Sequence, residues 1–521
     1  MNFRPPAEPS PLDPRSGRWK AFFVVFALVT AGGEAIAISI VITMGCAGSK
    51  GTDVKEDTKP TAAAAAAARR SAGRHHAMAR WRSRGCALKG PSRTTTTVMA
   101  TTGSGGCARA IGVEREIAKL MPETLLVHAE CGEGAFGRGL FVTGDGATLA
   151  RLPLARAMCV PAAVGGEIPE SDEKDIKNIY LQGWVENFSA RVPECVLDFM
   201  MRAPFAKDVR LTAGVAWATA NVDAWREYGE DVVPSEFDSM YLANEEELDA
   251  LQDGQIRVMA ERSRAGYEAT WAAAMAAHPD VARELSSIDA RKIEWCRSWV
   301  HTRAISGKIG DTECAFLAPT IDLANHRVES TAKYGVSEDG TSFELTWNEQ
   351  AAEGPTPVKG TEVFISYGDR MNNALLMLHY GFIDDNNRNE RLPMEFIAPG
   401  ARRVSGDRVL EAMRALEAQG DAKAAWAASN MLMMAARGPP PGTDAPAPPP
   451  TDPSVIQAMR DAVDAYARQS GQSATTVDDD QALLSSSASD SLSPRMSLAV
   501  RYRLAQKQNA AAFLRFLDIL Q

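Results

Sequence analysis

Two short segments, about forty residues apart, constrain this chain more than any other feature: Asp322-Leu-Ala-Asn325-His326 and Ile365-Ser-Tyr367-Gly368. The first follows an apolar run, Ala315 to Ile321, and the second closes the strand-like stretch Glu362-Val-Phe-Ile-Ser366. Asn-His is a poor helix pair. Both segments therefore read as strands ending in polar groups, with backbone and side chains converging on one small ligand. Thirteen residues beyond Tyr367, Tyr380-Gly381-Phe382 ends a stretch that carries Leu375, Leu376 and Leu378 at helical spacing.

Asp-x-x-Asn-His, then a strand-end tyrosine, then a helix ending Tyr-Gly-Phe resembles the SET-domain methyltransferases, in the branch that includes the plant Rubisco large-subunit lysine methyltransferase. The resemblance covers roughly Leu125 to Gln521, is strongest from Trp299 to Phe382, and is weakest from Cys159 to Val192. It implies an α+β fold: a SET domain of small β-sheets with a knot-like crossing, an inserted helical segment, and an all-α C-terminal domain that holds the protein substrate. It implies transfer of a methyl group from S-adenosyl-L-methionine to a lysine side chain of a protein, with no metal. The same fold leaves open a weak or non-catalytic peptide-binding protein and a histidine-directed methyltransferase.

Methyl transfer from a sulfonium donor needs a neutral amine held in line with the S–CH₃ bond. A free lysine, with pKa near 10.4, must first lose its proton. A cationic donor and an apolar channel both favour that loss. By resemblance, Tyr367 is the catalytic hydroxyl that orients the amine, a task suited to a rigid ring whose hydroxyl both donates and accepts; the alternative is an ordinary strand-end tyrosine. Asn325 and His326 resemble the pair that binds the donor, with the His326 imidazole bracing the crossing rather than acting as a base. Asp322 and Arg303 resemble further donor contacts, and each alone reads equally as half of an ion pair. Tyr380 resembles a second aromatic lining the channel, at the edge of donor and substrate sites; its alternative is plain core. Gly137, Arg138 and Gly139, in Gly134-Ala-Phe-Gly-Arg-Gly-Leu140, resemble the first donor-binding turn, where glycines let the backbone approach. The family commonly has a glutamate just before this Gly-x-Gly; here Phe136 stands there, with Glu133 three residues earlier. Ile305 and Ile321 occupy the positions at which the histidine-directed relatives carry polar or indole groups, which favours an aliphatic lysine stem.

Composition bounds the alternatives. A net charge of −10 over 521 residues argues against nucleic acid as a direct partner. The eight cysteines form no C-x-x-C pair and no histidine cluster, so neither a structural zinc site nor a disulfide framework is expected. A monomer acting on a protein substrate is the expectation.

Along the chain, residues 1–110 read as a targeting or anchor region, 111–395 as the SET domain with its helical insert at about 205–300, and 396–521 as the C-terminal domain with a Pro-rich loop at 438–453. Ala21 to Cys46 is apolar and long enough for a membrane-crossing helix, and Arg15, Arg18 and Lys20 precede it. Glu34 beside Gly32-Gly33 opposes burial in a bilayer. The stretch from Thr58 to Val113 is alanine- and arginine-rich and contains no Asp or Glu. A hydrophobic leader followed by such a segment resembles a two-part plastid presequence. A single-pass anchor with a disordered linker, or a faulty gene start, is the alternative reading.

Overall fold

The computed structural model describes Phe23–Ala31, Glu34–Ile42 and the chain from Leu125 to Leu520, apart from residues 135, 165–167, 352–353, 355, 369–370, 386, 388, 391–403, 405, 437–452, 470–473 and 486–490. The acid-free segment and the Pro-rich loop lie outside these residues, except for Pro453, which opens a helix. The apolar helix expected over 21–46 does not form. Strands β1 (Phe23–Ala31) and β2 (Glu34–Ile42) pair antiparallel instead. Their sequences are crowded with β-branched residues (Val24, Val25, Val29, Ile36, Ile38, Ile40, Val41) that favour strand over helix. Among the described residues no helix is long and apolar enough to cross a membrane.

The remaining strands build three small sheets. In the first, β4 (Ala129–Gly134) and β5 (Gly137–Val142) form a hairpin, β13 (Glu362–Ile365) pairs antiparallel with β5, and the two-residue β10 (Asn325–His326) pairs parallel with β13. In the second, β3 (Leu125–Leu126), β6 (Thr148–Pro153), β12 (Ser342–Trp347) and β11 (Ala332–Val336) stand in the order β11-β12-β6-β3. The third places β9 (Thr312–Leu317) between β7 (Met158–Pro161) and β8 (Ile305–Ile309). Central position explains the apolar run that opened the sequence argument: Cys314 to Leu317 are buried on both faces.

Between β7 and β8 the described chain is mostly helical, from Glu170 to Arg303. Two helical stretches of this region are each broken once. Val222 takes an extended conformation between Lys207–Asn221 and Asp223–Asp231. Asp253 interrupts Glu245–Ala250 and Gly254–Ala277, because its carboxylate accepts the Gln255 and Ile256 N–H groups as a helix cap. Trp184, Trp225, Tyr228 and Trp299 stack at the centre of this region, with ring centroids 5.5–6.0 Å apart and all four side chains fully buried. The helix Ala290–Arg303, capped by Asp289, runs directly into β8, so its C-terminal residues lie at the edge of the sheets.

After β13, the helix Asn373–Tyr380 is capped by Asn372 and ends at Gly381 with φ +80°. Helices Gly406–Ala418, Ala422–Ala436, Pro453–Gln469, Val477–Ser485 and Pro494–Leu520 complete the chain. The last of these joins two cores. Phe513, Phe516 and Leu517 pack among the C-terminal helices. Leu498, Ala499 and Tyr502 pack with Met240, Tyr241, Met377 and Leu378. The fold is α+β, small sheets with a helical C-terminal region.

Candidate active site

A strained turn delivers Asn325 and His326. After β9 the chain reverses at Thr320, a β-branched residue at φ +77° and fully buried. Such a conformation costs about 1–3 kcal/mol and persists only where its surroundings hold it. Tyr228 provides the hold: its hydroxyl accepts the Thr320 N–H at 2.8 Å and donates to Asp322 Oδ1 at 2.6 Å. Burial pushes the Tyr228 hydroxyl pKa up, so it stays a neutral donor. Asp322 is 5 % exposed, and Arg303 donates to its carbonyl at 2.8 Å. Both residues are thus turned toward each other and toward Tyr228. Burial raises the Asp322 carboxyl, with Arg303 opposing it.

Past that turn, His326 ties β10 to the end of β13. Its Nδ1 accepts the Tyr367 N–H at 3.0 Å, which places the ring proton on Nε2. Burial lowers the His326 pKa, so the ring is neutral and acts as a brace. Tyr367 packs against His326 at 5.0 Å and Tyr380 at 4.7 Å, with Phe382 at 6.3 Å. Its hydroxyl donates to the Ala324 carbonyl at 3.1 Å. That bond uses the only proton of the hydroxyl and leaves its oxygen free to accept. Burial raises the Tyr367 pKa and pushes Tyr380 up to about 12. Both rings stay neutral at ordinary pH.

Asn325 lies on the neighbouring face. Its Nδ2 donates to Glu362 Oε1 at 2.8 Å and to the Arg138 carbonyl at 3.3 Å. Both partners accept only, which fixes the amide orientation. Gly137, at φ +86°, and Gly139 belong to β5. The Arg138 side chain points away from them, donating to the Val232 carbonyl at 3.0 Å. Phe136 is 57 % exposed and meets Phe364 edge-on at 5.9 Å. Glu133 is exposed, opposite Arg138 in the hairpin. Ile305 and Ile321 are buried in the core. The structure therefore gathers His326, Tyr367, Tyr380 and Phe382 in one aromatic nest, and Asn325 with the glycine hairpin beside it. Asp322 and Arg303 hold the turn that leads into Asn325.

No protein-family model matches this chain, and no curated protein matches it. Among solved structures, it is similar to the SET domain of LSMT bound to methyllysine and AdoHcy, at 16 % identity and a TM-score of 0.46, covering 79 % of this chain and 92 % of that one. It is similar also to the same SET domain bound to lysine and AdoHcy (15 %, 0.45, again 79 % and 92 %). A third likeness is to Rubisco LSMT bound to AdoMet (14 %, 0.42, 78 % and 91 %).

Two functional candidates escaped sequence reading. Tyr228 looked like one aromatic of an inserted helix. Glu362 looked like the polar start of an apolar strand. The two-residue period of a strand, which sets Glu362 and Phe364 opposite Val363 and Ile365, was the available signal, and Phe364 is the register partner of Asn325.

Proposed function

We propose that the chain is a SET-type protein-lysine N-methyltransferase that uses S-adenosyl-L-methionine. The observation that carries the reading is the Tyr367 hydroxyl: held in an aromatic nest, its proton committed to the Ala324 carbonyl, its oxygen left to accept. An acceptor group that cannot ionise at ordinary pH suits a neutral amine, whose N–H it can receive while the nitrogen lone pair points elsewhere. The rings of Tyr380 and Phe382 flank Tyr367. They supply an apolar surface along which an aliphatic lysine stem can lie, and that surface disfavours the ammonium form.

The donor, when bound, supplies an already activated methyl group. The residues suited to hold it are the β4–β5 glycines and Asn325. A side chain added at Gly139 would meet Asn325 Nδ2 at 2.8 Å and Glu362 Oε1 at 2.7 Å, so glycine there lets both polar groups lie close against the backbone. His326 fixes the position of Tyr367 relative to this face through its 3.0 Å bond to the Tyr367 N–H.

Calorimetry of the full chain with S-adenosylmethionine tests the reading. One donor should bind per chain and raise the unfolding temperature. Absence of both heat and thermal protection would favour the rival, a peptide-binding protein without catalysis.

A further inference from the structure

The β4–β5–β13 sheet has two unlike faces. Cys131, Leu140, Val142, Val363 and Ile365 are buried on one. The other carries Gly132, Gly134, Gly137 and Gly139, and three longer side chains lean over this bare strip. The Phe141 ring covers Gly132. The Glu362 carboxylate stretches between Gly134 and Gly139, each oxygen 2.7 Å from where a Cβ would stand. Asn325 closes the strip from β10.

The hydrogen-bonding of this strip is incomplete in one sense only. Among the described residues, the Glu362 carboxylate receives a single hydrogen bond, from the neutral Asn325 amide to Oε1. Oε2 receives none, and neither does Asn325 Oδ1, whose amide orientation is fixed. Arg327 acts on Glu362 through its charge, and its guanidinium sits over the Phe364 ring at 4.6 Å and donates to the Glu329 carbonyl at 2.9 Å. Burial raises the Glu362 pKa, a penalty that an added cation on this strip would relieve. Two acceptors without a protein donor, set beside the glycine strip, suit a ligand that brings N–H donors and positive charge.

We propose that Glu362 is a donor-binding residue whose carboxylate receives the α-ammonium group of the methionine moiety. This rests on the methyltransferase reading of the same site. An ammonium carries three donors and no acceptor, matching Glu362 Oε2 and Asn325 Oδ1. The glycines let the carboxylate lie low over the strands, since a Cβ at Gly134 or Gly139 would stand 2.7 Å from one of its oxygens.

The test pairs a variant with a ligand change in the full chain. S-adenosylhomocysteine carries the ammonium; its deaminated analogue lacks it and is otherwise alike. Glu362→Gln should bind S-adenosylhomocysteine about 10–100-fold more weakly than wild type, the range for a hydrogen bond to a charged group. Wild type and variant should bind the deaminated analogue equally. An equal loss for both ligands would mean that Glu362 only shapes the hairpin through Asn325, and would overturn the proposal, as would no loss for either. Wild type that binds neither ligand would overturn the methyltransferase reading along with it. Should Glu362→Gln fail to fold, Glu362→Asp, which withdraws the carboxylate by one methylene, must weaken S-adenosylhomocysteine and spare the analogue.

Discussion

Tyr367 and Asn325 sit on the two sides of one parallel strand pair, and their substitutions should separate catalysis from donor binding. Tyr367→Phe keeps the ring stack with His326 and Tyr380 but removes the hydroxyl proposed to orient the amine. Methyl transfer should fall about 10²–10³-fold, the usual value of one positioned polar group at a reacting centre, with the donor Kd nearly unchanged. Asn325→Ala should instead weaken donor binding, read by calorimetry, because it removes the amide that faces the glycine strip. At this scale the sequence was most legible where residue types are chemically unusual for their element: Asn-His in a strand, a tyrosine at a strand end. Asp322 and Arg303 were legible as polar residues near the site, but sequence cannot tell a carboxylate aimed at a ligand from one aimed at Tyr228 or Arg303. That choice depends on side chains roughly 90 residues apart in the chain. Glu362 was hidden for the same reason, since its glycine neighbours lie on a different hairpin.

Elements are legible where the hydrophobic period is long, as in Pro494–Leu520, which buries Leu498, Tyr502, Phe513, Phe516 and Leu517. Breaks at Val222 and Asp253 were not, because a single extended residue leaves the helical period nearly intact. The segment 21–46 was misread since length and hydropathy alone do not distinguish helix from strand; its β-branched content does. One element-scale device positions the aromatic nest: Gly381 ends the helix Asn373–Tyr380 in a left-handed conformation and sets the direction of Tyr380 and Phe382. A Cβ there would lie 2.5 Å from the Asp238 carbonyl carbon and 2.7 Å from the Ser239 nitrogen, both backbone atoms. Gly381→Ala should therefore cost about 2 kcal/mol or more, measured by urea unfolding. It should also reduce methyl transfer by displacing Tyr380 from Tyr367.

On the scale of the whole molecule, the last helix is held by a buried charge cluster. Asp480 pairs with Arg503 and Lys507, each at 2.7 Å, and accepts from Thr475 at 2.8 Å. Burial opposes its ionisation, but these donors outweigh it and hold the carboxyl below the usual range. Asp480→Asn strands two cations and should cost about 3–5 kcal/mol, seen as a lowered Tm.

A second dependence is on pH. His301 Nε2 and His379 Nδ1 lie 2.7 Å apart. Burial lowers both, His301 to about 3, with each other's charge adding to the effect on His301. The unfolded chain binds protons on these rings below about pH 6.5 while the native chain does not, so stability falls as pH drops. The slope for His301 should approach about 1.4 kcal/mol per pH unit well below its unfolded pKa and fade near 3. Urea unfolding between pH 7.5 and roughly 4.5, repeated on His301→Gln, checks it: the variant should show the shallower slope.

The central claim is that this site methylates lysine in proteins, and one measurement meets it directly. The purified full chain is incubated with cell lysate and isotope-labelled S-adenosylmethionine, and labelled peptides are located by mass spectrometry. Label should appear on lysine side chains of one or a few proteins and should be nearly absent with Tyr367→Phe. Label on histidine, no label at all, or equal label from the Tyr367→Phe enzyme would contradict the account.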